Sequence, residues 1–247
     1  MAVVLFVFAH PDDETLGACV ALSEHVAAGT HDVHVLTMTR GAASGVVDEL
    51  AGASVGHWWG VAHNPALEGY TAPTADEFGQ LRIDETRRAL DALASGLGAP
   101  IALHEGGLLD TQVTQADARS QILAVCDQIN PGGVVWLKGH THLVDDNTDH
   151  TNIGKALRAI AAADPTRFSN LRHYVLPRYW SDPRLSQVAE QWDLPTNSVI
   201  TCHAINGMRC YGAWAPPESL AIGYHSVWSD MFAPQFAGPT PKNMYHP

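Results

Sequence analysis

The sequence predicts an α/β fold: a Rossmann-like, mostly parallel sheet with helices on both faces. Three observations carry this expectation. Continuous apolar runs rich in Val and Phe, such as "AVVLFVFA" at residues 2–9, suit strands buried on both faces. Segments with helical rhythm lie between them. The two kinds alternate as far as residue 177, the pattern of repeated βαβ units.

After the first strand, residues 10–29 read as a helix. Leu16, Val20, Val26 and Ala27 keep its rhythm, acidic residues fill its first turn, and Gly29 stops it. "DVHVLTMTRG" (32–41) is a second strand, which closes a βαβ unit over residues 2–40. Residues 41–80 are Gly- and Ala-rich with scattered aromatics and poor periodicity. A connection this long in a compact domain is expected to be a functional loop with short helices. Then come a helix at 81–98, a strand at 100–107, a helix at 114–130 stopped by Asn130-Pro131, and a buried strand at 132–140. A helix at 149–164 and a strand at 171–177 complete the series. Beyond about residue 178 the pattern weakens and Pro183, Pro195, Pro216 and Pro217 interrupt it. We expect one domain, with a core over 1–177 and a smaller C-terminal segment (178–247) packed on the sheet.

The length suits one large domain, and 46% hydrophobic with 16% charged residues is an ordinary globular composition. Acidic residues outnumber basic ones by 26 to 14, a formal charge of −12 that argues against nucleic acid or an anionic membrane as partner. Cys19, Cys126, Cys202 and Cys210 form no CxxC pair. The opening apolar run lacks a basic flank and breaks at His10-Pro11, so it reads as a strand rather than a signal peptide or span. A cytoplasmic chain is expected.

Chemistry concentrates in two places. "AHPDDE" (9–14) puts His10, Asp12, Asp13 and Glu14 just past the first strand, the end where open α/β sheets bind ligands. Pro11 suits a first helical position, and the helix dipole favours acids there. Capping alone explains neither His10 nor two adjacent aspartates, whereas a divalent cation explains both. His10 and Asp13 converge across one turn, and Asp12 aims elsewhere, toward a water. Zinc accepts such ligands and needs a third. The second cluster, "GHTHLVDDNTDH" (139–150), also follows a buried strand and offers His140, His142, Asp145, Asp146, Asp149 and His150.

These residues resemble the LmbE/PIG-L family of zinc-dependent N-deacetylases and amidases, which includes the N-acetylglucosaminyl deacetylases of phosphatidylinositol-glycan and mycothiol synthesis. "AHPDDE" is similar to its signature, Asp149-His150 to its later Asp-His pair, and "LRIDETRRALDALASGLG" to its R-x-x-E helix. The resemblance implies His10, Asp13 and His150 as ligands of one Zn²⁺ per chain, Asp12 as general base, and Arg82 and Asp110 as substrate contacts. It implies cleavage of a small N-acylated, most simply N-acetylated, metabolite or amino sugar. The chain departs from the pattern at Asn147, where the family has a histidine, at Asp145, where relatives often have tyrosine, and at "TRGA", which lacks an acid. His142 or His225 is a candidate for the missing acid, and Asn147 for a donor to the developing oxyanion. Asp149 either orients His150 or caps the helix. Arg40 either binds a substrate anion or forms a structural ion pair. Trp58 and Trp59 either pack or form a lid. Two rivals remain: a hydrolase working through its carboxylate pair without metal, which adjacent aspartates fit poorly, and a non-catalytic metal- or small-molecule-binding module.

Overall fold

The computed structural model describes residues 2–188, 191–237 and 241–246. Strand β1 (Ala2–Phe8) is the centre of the fold; residues 4–8 are fully buried. Its alternating side chains feed two cores. Val4, Phe6 and Phe8 pack on one face with helix α1 (Asp13–Ala27), while Val3, Leu5 and Val7 pack on the other. Each such side chain contributes about 1.5–3 kcal/mol.

The chain then runs through β2 (His31–Thr39), the short α2 (Val46–Leu50) and α3 (Pro65–Glu68), α4 (Ala75–Ala94), β3 (Ala102–Leu108) and α5 (Gln115–Ile129). It continues through β4 (Val135–His140), α6 (Thr148–Ala163) and β5 (Phe168–Val175). The C-terminal part adds β6 (Gln191–Asp193), α7 (Ser198–Cys210), the hairpin β7 (Trp214–Ala215) and β8 (Ser219–Leu220), α8 (Ile222–Val227), α9 (Ala233–Phe236) and β9 (Asn243–His246).

The sheet order is β3-β2-β1-β4-β5-β9-β6, parallel from β3 to β5. Helices α1, α4 and α7 pack together on one face, and α5 with α6 on the other. The mostly parallel α/β fold expected from the alternation is therefore present. Strand order reverses between β1 and β4, so their carboxyl ends open a crevice where two sequence-distant loops meet. Gly154 lets α6 seat against the end of β4, since a Cβ there would lie 2.7 Å from the Thr141 carbonyl oxygen.

Two elements differ from the sequence reading. Helix α4 starts at Ala75 rather than at 81. Thr74 and Glu77 form a capping box, with the Glu77 backbone N–H donating to Thr74 Oγ1 and the Thr74 N–H to Glu77 Oε2. The C-terminal part extends the sheet rather than only lying on it: β9 pairs antiparallel with β5, and β6 with β9.

Buried Glu85 ties α4 to α8. It accepts the Ile222 N–H at 2.8 Å and the Gly223 N–H at 3.1 Å. Burial outweighs these bonds and pushes its carboxyl up to about 8. Because the folded-state value exceeds the ordinary 4.5, this group's stabilisation is full below pH 4.5 and is lost as pH rises through about 8. Glu85→Ala, which strands both N–H groups, is expected to cost about 1–3 kcal/mol in urea unfolding. Glu85→Gln, a mimic of the protonated carboxyl, is expected to lose less stability than wild type on passing from about pH 6 to 9.

Candidate metal centre

His10 Nδ1, Asp13 Oδ2 and His150 Nε2 meet above the ends of β1 and β4. Their separations are 3.0 Å (His10–His150), 3.4 Å (His10–Asp13) and 3.2 Å (His150–Asp13). The other nitrogen of each ring is engaged. His10 Nε2 lies 3.1 Å from Asp110 Oδ1 and 3.5 Å from Asp149 Oδ2, and His150 Nδ1 lies 2.9 Å from Asp145 Oδ2. Donation to those carboxylates fixes both tautomers and turns two imidazole lone pairs and a carboxylate oxygen on one point. Such a trio calls for positive charge between its members, which a metal ion or, in its absence, imidazole protons can supply. Ligands about 2.0–2.1 Å from a tetrahedral ion stand roughly 3.3–3.4 Å apart, so the residues fit a divalent metal. Of the sequence candidates, then, the structure brings His10, Asp13 and His150 together.

The electrostatics agree. Burial disfavours charge on His10, but its bonds to Asp110, Asp13 and Asp149 outweigh this and raise its pKa well above the ordinary value. Burial likewise acts against His150, yet Asp13 and Asp145 push it up to about 9. Burial favours protonation of Asp13, but His150 and His140 hold its carboxyl well below the usual range. The cage attracts positive charge.

His140 stacks flat on His150, with centroids 3.9 Å apart, and its Nε2 sits 3.2 Å from Asp13 Oδ2. It belongs to the second sequence cluster, but its role there was not foreseen. Neither was that of Asp145, which orients His150. Asp149 instead takes the Thr111 and Val113 N–H groups and backs His10. The helix cap is Asn147, whose Oδ1 accepts the Asp149 N–H at 2.8 Å.

Asp12 sits beside the trio with φ 99°, a left-handed conformation that costs about 1–3 kcal/mol for a non-glycine residue. Several bonds hold it. Its N–H lies 3.1 Å from Tyr211 Oη and 3.2 Å from Glu14 Oε2, while Tyr211 donates to Glu14 Oε1 at 2.5 Å. Arg82 Nη2 donates to Asp12 Oδ2 at 3.0 Å and to the Pro11 carbonyl at 2.6 Å, and Nη1 donates to the Gly41 carbonyl at 2.9 Å. Burial pushes Asp12 up to about 7, despite Arg82.

A cavity of about 270 Å³ opens over these groups, lined by Asp12, Arg82, Asp110 and Asn147 and closed by C-terminal residues including Arg178, Tyr179 and Met231. Arg82 and Asp110 line it, but their polar atoms serve Asp12, His10 and the Ala43 N–H (2.8 Å). Both act on the site's own residues and both stand at the cavity where a substrate contact is expected.

Three further candidates lie elsewhere. Arg40 is half exposed and pairs with Glu105 at 3.0 Å, because the end of β2 directs it to the neighbouring β3. His142 follows a turn at Thr141 and packs against His173, with Arg158 Nη1 3.4 Å from its Nε2, so it is no part of the cavity. His225 bonds the Ala221 carbonyl and His63 within an aromatic cluster that holds Trp59. The C-terminal wall and Tyr211 left no sequence signal, because they meet the site only through tertiary packing.

Residues 5–161 match the family PIG-L, GlcNAc-PI de-N-acetylase. The chain belongs to this family. It is 30% identical over 181 residues to the 1D-myo-inositol 2-acetamido-2-deoxy-alpha-D-glucopyranoside deacetylase of Geodermatophilus obscurus, covering 66% of this chain and 54% of that protein. The protein of the same name from Segniliparus rotundus is 39% identical over 100 residues, covering 40% of this chain and 26% of that protein. The chain thus spans between about a quarter and a half of the length of these relatives. Similar folds occur in the A40926 pseudoaglycone deacetylase Dbv21 (TM-score 0.64, 15% identity, 99% of this chain and 96% of that one). GalB, the 4-carboxy-2-hydroxymuconate hydratase of Pseudomonas putida, also shares the fold (TM-score 0.60, 15% identity, 100% and 95%). Among the described residues no helix is long and apolar enough to cross a membrane.

Asp145→Ala is expected to weaken divalent-metal affinity about 10–100-fold by freeing the His150 ring, as read by competition with a chromogenic chelator. His10→Ala, Asp13→Ala and His150→Ala are each expected to purify without stoichiometric metal, as measured by elemental analysis.

Proposed function

We propose that this chain is a zinc-dependent N-deacetylase, holding one Zn²⁺ per chain and acting on a small N-acetylated molecule of the amino-sugar class. The observation that carries this reading is the convergence of His10 Nδ1, Asp13 Oδ2 and His150 Nε2 beside Asp12 in one cavity. Family membership supports it, as do the deacetylase names of the curated relatives. Fold alone does not, since a hydratase shares it.

His10, Asp13 and His150 would hold the ion, which when bound supplies the Lewis acidity that makes water a nucleophile near neutral pH. The chain's own residues do the rest. Asp12 takes the proton from the attacking water and later delivers it to the departing amine. Arg82 holds the Asp12 carboxylate in place through Oδ2. Asn147 spends Oδ1 on the start of α6, which leaves its Nδ2 as a donor at the cavity wall for the developing oxyanion. His142 has no part in this scheme. Asp145, Asp110 and Asp149 keep the two imidazoles aimed. The small molecule is the only partner the reading requires, and a cytoplasmic setting fits it.

The test is amine release from a panel of N-acetylated amino sugars and their conjugates. Activity is expected to vanish with chelator and return with Zn²⁺. Asp12→Asn is expected to retain metal and lose about 10²–10⁴-fold in kcat. Full turnover by Asp12→Asn would overturn the base assignment. Metal-loaded protein that releases no amine from any panel member would leave the binding-module reading in its place.

A further inference from the structure

A second cavity, of about 390 Å³, lies between α1 and the β4–β5–β9–β6 half of the sheet and shares no lining residue with the metal centre. Its sheet side carries an unusual pair. Lys138 on β4 and Arg172 on β5 are register partners, and like charges directly opposite in a ladder repel. Lys138 is only 4% exposed. Its ammonium carries three donors, and among the described residues it makes one hydrogen bond, to the Asn170 carbonyl at 3.2 Å. Asn170 presents that carbonyl from a left-handed conformation (φ 52°) where the ladder shifts register. Arg172 spends Nη1 on the Leu171 carbonyl at 2.9 Å. Among the described residues no carboxylate lies within the 4.0 Å of an ion pair from either cation. Burial, with the Arg172 charge, outweighs the attraction of Asp193 and pulls Lys138 down to about 8.

The remaining walls carry the opposite sign. Asp193 and Glu24 line the cavity, each with one oxygen committed: Asp193 Oδ2 to the Tyr174 hydroxyl at 3.2 Å, and Glu24 Oε1 to the Thr196 N–H at 2.9 Å. Burial pushes Asp193 up to about 6. Trp192, which is 40% exposed, and Tyr245 add aromatic surface. Two cations and two acids thus share one cavity, close enough for Asp193 to feel Lys138 and Arg172, yet among the described residues none stands within ion-pair distance of an opposite charge. An anion alone would satisfy the sheet side but face the acids, and a cation alone would do the reverse. One molecule carrying both charges answers both.

We propose that this cavity binds a small zwitterion of the α-amino-acid class, its carboxylate on Lys138 and Arg172, its ammonium on Asp193 and Glu24, and its side chain against Trp192 and Tyr245. The volume lies within the usual range for small-ligand sites, about 300–1,000 Å³. The site stands apart from the metal centre, so the proposal does not depend on the deacetylase reading.

The experiment is calorimetric titration of the full chain with the proteinogenic amino acids, followed by the two half-ligands of phenylalanine, 3-phenylpropanoate and 2-phenylethylamine. L-phenylalanine is expected to bind at least about tenfold more tightly than either half-ligand. Lys138→Met and Asp193→Asn are each expected to weaken that binding at least about tenfold while leaving metal content unchanged. Lys138→Met removes an unpaired buried charge, so its melting temperature is expected to equal or exceed that of wild type. If it fails to fold, Asp193→Asn carries the same comparison. Absence of binding by every amino acid at roughly 10 mM would overturn the proposal. So would 3-phenylpropanoate binding as tightly as L-phenylalanine, or binding that survives both substitutions.

Discussion

Two imidazole nitrogens and a carboxylate oxygen turned on one point, a cluster that calls for positive charge at its centre, are the constraint from which the rest of the site follows. Asp13 Oδ2 sits 3.2 Å from His150 and 3.4 Å from His10. Left unneutralised, such an arrangement would spring apart. It survives because each imidazole is held from behind by a carboxylate, and because two strand ends fix the distance between the loops. β1 and β4 are hydrogen-bonded neighbours in register, with Val7 opposite Gly139. That pairing brings residue 10 to residue 150 across 140 positions of sequence. The buried apolar strand and the charged loop therefore form one device, in which the strand's packing supplies the rigidity that converging ligands need.

A second constraint lies beside it. Asp12 is held at φ 99° by contacts from three separate parts of the chain: Glu14 on its own helix, Arg82 on α4 and Tyr211 after α7. The strain is local, while the forces that offset it are distributed. This explains why Glu14 is fully buried: it serves as an acceptor for the Tyr211 hydroxyl and for the Asp12 and Thr15 groups around it. Burial pushes its carboxyl up to about 7, despite those bonds. The C-terminal part, whose apolar pattern is weak, reaches the reactive centre through this one hydroxyl and through the residues that close the cavity.

What the sequence made legible follows from range. The parallel core and the strand-end location of the site rest on local patterning plus one topological rule, and both were readable, whereas the choice of His150 among the residues of the second cluster came from the family resemblance. The start of α4 was readable too, from Thr74-x-x-Glu77, a signal masked by the Gly-rich context around it. By contrast, whether His140 or His142 faces the site depends on a turn at Thr141, and two residues of ambiguity in a loop reverse a side chain's direction. Similarly, Arg40 and Arg82 both suit an anion site by type. Only packing decides that one meets Glu105 at the surface while the other is enclosed with Asp12.

The departure at Asn147 acquires a physical meaning from its surroundings. A histidine there could take up and release a proton near neutral pH, whereas an amide donates hydrogen bonds but does not titrate. Asn147 Oδ1 takes two N–H groups at the start of α6, at 2.8 Å and 3.4 Å, and the second belongs to His150 itself. One side chain thus fixes the first turn of the helix that aims a metal-ligand candidate, and its amide nitrogen is left pointing away from that cap. Under the proposed chemistry the consequence is specific. Proton traffic concentrates on Asp12, which must serve both as acceptor from water and as donor to the amine, and Asn147 contributes charge stabilisation alone. Burial favours the protonated form of this carboxyl and the Arg82 guanidinium the ionised one, so Asp12 stands between two opposed influences beside the site. Under that reading one residue carries both proton transfers, and Arg82, Tyr211 and Glu14, which clamp it, are the structural counterpart of the load.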